Sequence, residues 1–553
     1  MKKLFTVLLL FCAAAAFFSL AACAPRSDTD QPGPPEVPEH THTGTQLSYD
    51  AEAHRYLCEI CGQAFQNAAH TEDANSLCSV CGCSCSPTEG LLFSENAGND
   101  GYTLVGAGDA ARATEIRIPS FYEGKPVCAV ASDALAGANA MERLIIPAGI
   151  EDIPEGTFRN CLTLREIVVA PQNTVYCDQD GALYTEDRSV LLQYPAGQKA
   201  DTVLLPDGIE RIGDYALSCS AAAVISLPET VCELGNSAFS ACSQLREIAL
   251  PDNISEISEY AFSNCLQLQE LTLPKGVVSI GDFAFRGCSS LQSLALPSSL
   301  TQIGTAAFER CSLLRSANLP SAIETIEAMV FFNCTSLEEL TLPDHVRSLG
   351  YMALGNCTSL QAITLPASLQ TMDTYALTGC SGLKAIEVAV ENRSYRSLDG
   401  VLYSADGTQL LKYPSAHERT SFIPPQTVQT VADSAFENCL YLEEIALPDP
   451  VTDIGGYAFT NCSALAQISF GENLAHIGAG AFSACPALVR AAFTDPDGWD
   501  IGGEPLSAQM LADPAQAAEL LTTRTEEWQR AWPNRAVFPP PQSICFNGEA
   551  GRN

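Results

Sequence analysis

Large apolar residues return at fixed offsets along most of this chain, in a unit of 23 residues. One unit reads Leu245-Arg246-Glu247-Ile248-Ala249-Leu250-Pro251, then Ile254-Ser255-Glu256-Ile257, then Ala261-Phe262-Ser263-Asn264-Cys265. The next reads Leu268-Gln269-Glu270-Leu271-Thr272-Leu273-Pro274, then Val277-Val278-Ser279-Ile280, then Ala284-Phe285-Arg286-Gly287-Cys288. One cysteine measures the period: Cys219, Cys242, Cys265, Cys288, Cys311, Cys334, Cys357 and Cys380 stand 23 residues apart, as do Cys439, Cys462 and Cys485. Ala138 fills the same slot 23 residues before Cys161. A fixed period of this size predicts a solenoid. Leu-x-x-Ile-x-Leu predicts a short strand with its large residues inward, ended by Pro. Val-x-x-Ile predicts a second, shorter extended segment, and Ala-Phe-x-x-Cys a tight helical or 3₁₀ turn with Phe at the centre. Coils stacked about 4.8 Å apart pair each strand with its neighbours in parallel sheets.

Two gaps break the period, 58 residues from Cys161 to Cys219 and 59 from Cys380 to Cys439. Both hold the same pattern: Asp180-Gly181-Ala182-Leu183-Tyr184 to Tyr194-Pro195, and Asp399-Gly400-Val401-Leu402-Tyr403 to Tyr413-Pro414. Alternation around turn residues predicts β-hairpin inserts, near 170–196 and 389–415, set into repeats that span 138–493. Residues 86–137 are expected to form an N-terminal cap and first coil. Residues 494–553 are expected to form a C-terminal cap and tail, with a helical stretch between Leu506 and Trp532.

The units resemble the BspA-type leucine-rich repeats of bacterial surface proteins, on the period, the Leu-Pro strand end, the Ala-Phe pair and the cysteine slot, over about residues 91–493. The segments Gly101-Tyr102-Thr103-Leu104-Val105-Gly106, Ile118-Pro119-Ser120 and Gly124-Lys125-Pro126-Val127 resemble that family's N-terminal start. The resemblance implies a β-rich solenoid with short 3₁₀ or α turns and a surface protein that binds extracellular-matrix or other cell-surface molecules. It also implies that the repeat slot, filled by Asn or Cys in such repeats, faces inward. The cysteines there are expected to be reduced, buried thiols, because equivalent side chains in stacked coils point the same way and leave Cβ atoms too far apart for a disulfide.

The N-terminus points to export. Lys2-Lys3 precede the apolar run Leu4 to Leu20, and small residues lead to Leu20-Ala21-Ala22-Cys23, a signal peptide over 1–22. Leu-Ala-Ala-Cys resembles the bacterial lipobox, which implies lipidation at Cys23 and a chain anchored at the outer face of the cell membrane by that lipid alone. Residues 23–39, with Pro32-Gly33-Pro34-Pro35-Glu36-Val37-Pro38, read as a semi-extended tether.

Residues 40–85 form a Cys/His-rich module. Cys58-Glu59-Ile60-Cys61 and Cys78-Ser79-Val80-Cys81, each followed by Gly, have zinc-ribbon spacing, so Cys58, Cys61, Cys78 and Cys81 are candidate ligands of a structural zinc. Four histidines lie nearby, His40, His42, His54 and His70. His54-x₃-Cys58-x₂-Cys61 and His70 resemble the histidine-bearing zinc-ribbon-like segments of some Firmicutes surface proteins, which implies a site of two or three Cys with His54 or His70 as the alternative. Cys83 and Cys85 exceed the needs of one site, and a small disulfide knot is the competing expectation in an oxidising medium.

A formal net charge of −36, with no basic cluster beyond Lys2-Lys3, argues against nucleic-acid binding. No nucleophile elbow, P-loop, HExxH or EF-hand pattern is present, so no enzyme is expected. What the architecture offers is an outward strand face, with Arg246, Glu247, Gln269, Glu270, Thr272, Gln292, Glu338, Glu339 and Thr341 as candidate contacts. The expected function is a monomeric, non-enzymatic adhesion protein that presents this face to an extracellular protein or glycan. The alternative is a structural envelope component or spacer without a specific ligand.

Overall fold

The computed structural model describes residues 46–50, 52–57, 64–136 and 138–530, with the backbone alone for 46–48, 54–57 and 64–67. The repeats form the expected parallel β-solenoid. Each Leu-x-x-Ile-x-Leu segment gives a short strand, and successive strands pair in parallel register: Glu270–Thr272 with Ser293–Ala295, then Ser316–Asn318, then Glu339–Thr341. Burial along them runs exposed, buried, exposed, which is the alternation the apolar pattern demands. The Val-x-x-Ile segments pair coil to coil as two-residue strands on a second face, Glu256–Ile257 with Ser279–Ile280 and then Gln302–Ile303.

The Ala-Phe-x-x-Cys segment is a turn that shares its hydrogen bonds between its own coil and the next. Alternate amides close 3₁₀-type bonds, Ser240 N to Ser237 O and Cys242 N to Phe239 O. The amides between them leave the coil, Phe239 N to Ala261 O at 2.8 Å and Ala241 N to Ser263 O at 2.7 Å. That alternation requires left-handed backbone at two residues per coil, as at Tyr260 and Asn264. The phenylalanines stack in a column: ring centroids of Phe239, Phe262, Phe285, Phe308 and Phe331 are 5.0–5.6 Å apart, with planes within 13°. Leu354 and Leu377 interrupt the column, and Tyr413, Phe436, Phe459 and Phe482 resume it.

The cysteine slot is buried, and its role is specific. Cys265 Sγ donates to Phe239 O at 3.2 Å and Cys288 Sγ to Phe262 O at 3.1 Å, and the same bond joins Cys311, Cys334, Cys357, Cys380, Cys462 and Cys485 to the preceding coil. No disulfide is formed among the described residues. Burial pushes the Cys334 thiol up to about 12 and Cys380 to about 11, so both are protonated donors at neutral pH.

Cys219 corrects the ruler. It is only half-buried, has φ +61, and occupies the left-handed position that Ala241 fills in the next coil. Ser220, 3% exposed, is in the buried slot, 22 residues before Cys242. This coil is one residue short between turn and strand, so a cysteine standing next to the slot mimicked the period.

The inserts are three-stranded antiparallel meanders. Tyr176–Gln179, Ala182–Thr185 and Val190–Gln193 pair in order, and the third strand joins the second face in parallel with Arg211–Ile212. The strands Tyr395–Leu398, Val401–Ser404 and Gln409–Lys412 do the same, ending against Thr430–Val431. Each insert therefore returns the chain to the stack in register, and Tyr413 takes a phenylalanine position against Phe436 at 5.0 Å.

Both ends are covered. At the start, Leu92–Glu95 pairs antiparallel with Tyr102–Gly106, which runs parallel to Lys125–Val130. At the other end, helices Ala508–Ala512 and Pro514–Thr523 bury Leu511, Ala517, Ala518 and Leu521. Trp528–Arg530 closes the second face antiparallel to His476–Ile477.

Phe285→Ala, in mid-column, is expected to cost about 3–5 kcal/mol. Cys288→Ala, which removes one weak bond and one small side chain, should cost only about 1 kcal/mol by the same thermal melts. Thiols whose pKa is raised on folding stabilise fully below the unfolded value of about 8.5 and lose that contribution as pH rises through the folded value. The melting temperature should therefore stay level up to about pH 8 and fall progressively above about pH 8.5. A melting temperature that does not fall between about pH 8.5 and 11 would show that these thiols are not the protonated donors described.

Candidate binding face and cysteine cluster

The strand face places its candidate residues as expected in one respect. Arg246, Glu247, Gln269, Glu270, Thr272, Gln292, Glu338, Glu339 and Thr341 are all exposed, on neighbouring strands of one side of the solenoid. The face is not one continuous sheet. Hydrogen-bonded pairing stops after Glu247–Ala249 and resumes at Glu270–Thr272. At that seam lies a shallow concavity of about 620 Å³, lined by Arg246, Glu247, Asp252, Gln269, Glu270, Thr272 and Lys275 among others. It mixes two cations with three carboxylates, all exposed.

The first coils differ. In the strands Arg143–Ile146 and Glu166–Val169 the outward position taken elsewhere by Ala249 or Thr272 holds Ile145 and Val168, which are 1% and 9% exposed. The cover is the Cys-rich module. Leu77 packs on Ile145, Val168 and Ala170. Ala148 N donates to Gly82 O at 3.1 Å, Gln172 Nε2 to Ser79 O at 3.0 Å, and Ser84 N to Ser120 Oγ at 2.8 Å, while Arg143 Nη2 donates to Asn75 Oδ1 at 2.5 Å. Gly82 has φ +70, and a Cβ there would lie 2.7 Å from Gln172 Oε1 and 2.8 Å from Ala148 Cβ, so glycine is what lets the loop approach. The sequence did carry a signal, two large β-branched residues at a position otherwise kept small.

Within the module, His70, Cys81 and Cys83 bring their donor atoms within 4.8 Å of one another. Cys81 Sγ is 3.2 Å from His70 Nδ1, and Cys78 hydrogen-bonds with both His70 and Cys81. His70 Nε2 is 2.8 Å from Asp50 O. Hydrogen bonding between the thiols separates their acidities, lowering Cys83 and, with burial, raising Cys81. Burial acts to raise Cys78, but hydrogen bonds from the Cys81 backbone and from His70 outweigh it and the thiol is lowered. Cys85, pushed by burial to about 11, stands apart from the three-donor group. Of the candidates the spacing offers, Cys78, Cys81 and His70 lie together, and Cys83, surplus to one site by spacing alone, is folded back towards Cys81 by the tight turn at Gly82. Cys58, Cys61 and the side chain of His54 lie outside the described residues, as do His40, His42, the signal peptide, the tether and Cys23.

A half-buried row of large side chains, of which Tyr457 is exposed, escaped sequence reasoning. The position before the Ala-Phe pair, or before the Ala-Leu or Val-Phe that replaces it, stands at the turn edge in left-handed backbone and holds a large residue in six coils: Tyr215, Tyr260, Phe283, Met329, Met352 and Tyr457. Tyr260 and Phe283 stack at 4.7 Å, and Arg159 and Arg286 lie over Tyr215 and Phe283 at 5.2 and 5.5 Å. No helix among the described residues is long and apolar enough to cross a membrane.

A family model described as BspA type leucine rich repeat region matches in 6 copies, over residues 114–181, 196–275, 255–384 and 415–496. No curated protein matches. Among solved structures, a leucine rich cell surface protein from Faecalibacterium prausnitzii is 25% identical, with 57% of this chain and 88% of that one covered and a TM-score of 0.43. A leucine-rich repeat protein from Bacteroides ovatus is 21% identical over 73% of this chain and 93% of that one, TM-score 0.37. Another, from Eubacterium ventriosum, is 22% identical over 56% and 69%, TM-score 0.31.

Gly82→Val forces a β-branched residue into left-handed backbone against Ala148 and Gln172. The loop should then lose protection from hydrogen exchange at Ser76–Ser84 by at least about tenfold, equivalent to about 1.4 kcal/mol. Amides of the Phe262–Phe331 coils should keep theirs, and unchanged exchange in the loop would refute the docking described.

Proposed function

Because this chain belongs to the BspA-type leucine-rich repeat family, we propose that it is an exported, surface-anchored binding protein that presents its uncovered strand face to an extracellular protein or glycan. The observation that carries the reading is the division of that face. Over the first coils it is apolar and covered by the protein's own module. Beyond them it is exposed and, Leu204 and Ile423 apart, mostly polar, and it is indented at the Arg246–Lys275 seam. A spacer with no ligand has no need of an open polar concavity.

The seam suits a partner that offers both carboxylates and amines or guanidiniums, because Arg246 and Lys275 stand beside Glu247, Asp252 and Glu270. Such mixed pairs give orientation and specificity more than raw affinity. The chain's net charge of −36 adds long-range attraction for a basic partner, which salt weakens. The reading is non-enzymatic, in keeping with a repeat family whose solenoids typically serve as binding scaffolds. Export rests on the signal peptide, and anchorage on lipid at Cys23.

The test is binding of the purified mature chain on matrix-protein and glycan arrays, followed by Glu247→Lys/Glu270→Lys. For an identified ligand the double variant should weaken binding at least about tenfold, or about 1.4 kcal/mol, with an unchanged melting temperature, while Tyr457→Ala at the turn edge leaves it as it was. The proposal fails if no array component is bound above background. It fails equally if the double variant binds as the parent does.

A further inference from the structure

We propose that His70, Cys78, Cys81 and Cys83 bind one thiophilic divalent cation of the zinc class, and that this ion holds the 70–85 loop in the form that covers the strand face of the first coils. The inference concerns the covered end of the face and does not depend on what the open part binds.

The first ground is the donor set. Three thiols and one imidazole are gathered in a stretch of fourteen residues, and the thiols are buried, at 1% exposure for Cys78 and Cys81 and 3% for Cys83. Tetrahedral zinc, with Zn–S about 2.3 Å and Zn–N about 2.0 Å, sets its S···N pairs about 3.5 Å and its S···S pairs about 3.8 Å apart. The Cys81 Sγ to His70 Nδ1 distance is 3.2 Å, and the donor atoms of His70, Cys81 and Cys83 all fall within 4.8 Å. These three donors already span nearly the size that the ion requires, and Cys78 joins them through its hydrogen bonds with His70 and Cys81.

The second ground is the histidine's orientation, which is independent of the thiols. The Asp50 carbonyl oxygen can only accept, so the Nε2 beside it at 2.8 Å carries the proton. Nδ1 therefore turns its lone pair towards Cys81. Metal-bound histidines are held in this way, with the distal N–H donated to a carbonyl or carboxylate. Soft thiolates with one imidazole select zinc-class ions over calcium or magnesium, which want oxygen. Four protein donors leave no open position, so the role is structural.

The third ground is the place of the turn. Gly82 N bonds to Cys78 O and Cys78 N to Cys83 O, both at 2.8 Å, and the same turn supplies the contacts to Ala148, Gln172 and Ser120. A ligand that fixes the turn fixes the cover over Ile145 and Val168. Binding releases the thiol protons to solvent and involves no redox change.

The competing state is a disulfide among the same thiols. Metal content and free thiols would be measured on the purified full chain and on Cys81→Ser/Cys83→Ser, His70→Ala and, as a remote control, Cys232→Ser. The double variant is expected to lose one zinc equivalent per chain relative to the parent, His70→Ala to bind that zinc at least tenfold more weakly, and Cys232→Ser to match the parent. Cobalt(II) in place of zinc should give the intense visible bands of a tetrahedral thiolate site, absent from the double variant. Chelation should raise proteolytic cleavage within 70–85 at least tenfold, with the solenoid's own melt unmoved as the check that the variants fold. The proposal is overturned by equal zinc in parent and double variant, or by a zinc-free parent whose thiols are oxidised. Chelation that strips the ion without exposing the loop would also overturn it.

Discussion

Every coil in this molecule is held by the registration of its neighbours. The phenylalanine ring of one coil lies flat on the ring of the coil before, and the cysteine thiol three residues later donates to the carbonyl of that earlier phenylalanine. Alternate turn amides reach forward to the next coil. A single coil satisfies none of these groups alone, so stability is a sum of nearest-neighbour interfaces rather than of one central core. The slot must be small, as Ala138 and Ser220 in it show, and a protonated thiol is small and also donates. Burial then secures the protonation on which the bond depends, since a thiolate cannot donate and finds no water in the column.

That constraint explains what the inserts may do. The chain leaves the stack after Glu166–Val169 and after Ala385–Val388, and each time it spends a three-stranded meander before returning. In both, the third strand supplies the second-face strand that its coil would otherwise lack, and in the second insert Tyr413 supplies the ring. Extra length is tolerated because loop closure grows only slowly with length, whereas a slip in register breaks hydrogen bonds in both neighbours. Lys412 shows the limit of that tolerance: it is buried, and burial lowers its pKa, but its Nζ donates to Ser434 O at 2.7 Å with Glu437 at 3.9 Å.

The repeat was legible because its period is written in residues with different reasons to be there. Phe fills volume, Pro ends a strand, and Cys closes a coil-to-coil bond, so three independent markers kept step. Where one marker was used alone it misled: Cys219 fits the count, but Ser220 fills the slot, and only the backbone conformation separates them. The outward face was legible for the same reason that strands alternate. The cover over its first part was not, because Ile145 and Val168 read as slightly over-hydrophobic strands until a partner from more than sixty residues away is placed on them. The cluster was half legible. Spacing identifies pairs of thiols, but a turn can bring a nearby third thiol into reach, and Cys83 arrives through the left-handed Gly82.

A solenoid has two open ends, and each is a template for unwanted pairing. Here the C-terminal end is closed by two helices and an antiparallel strand, and the N-terminal end by the sheet that begins at Leu92. Neither closure accounts for the loop on the strand face, which covers a side rather than an end. Covering a side removes binding surface, so it must answer a different need. In the coils of Arg143–Ile146 and Glu166–Val169 the outward positions are large and apolar, and such a patch, left open, invites association with any hydrophobic surface. The loop converts that patch into interior while leaving the seam at Arg246–Lys275 open. Position along the stack thereby decides exposure: the face is sealed to the protein itself in the N-terminal coils and lies open only where the seal stops.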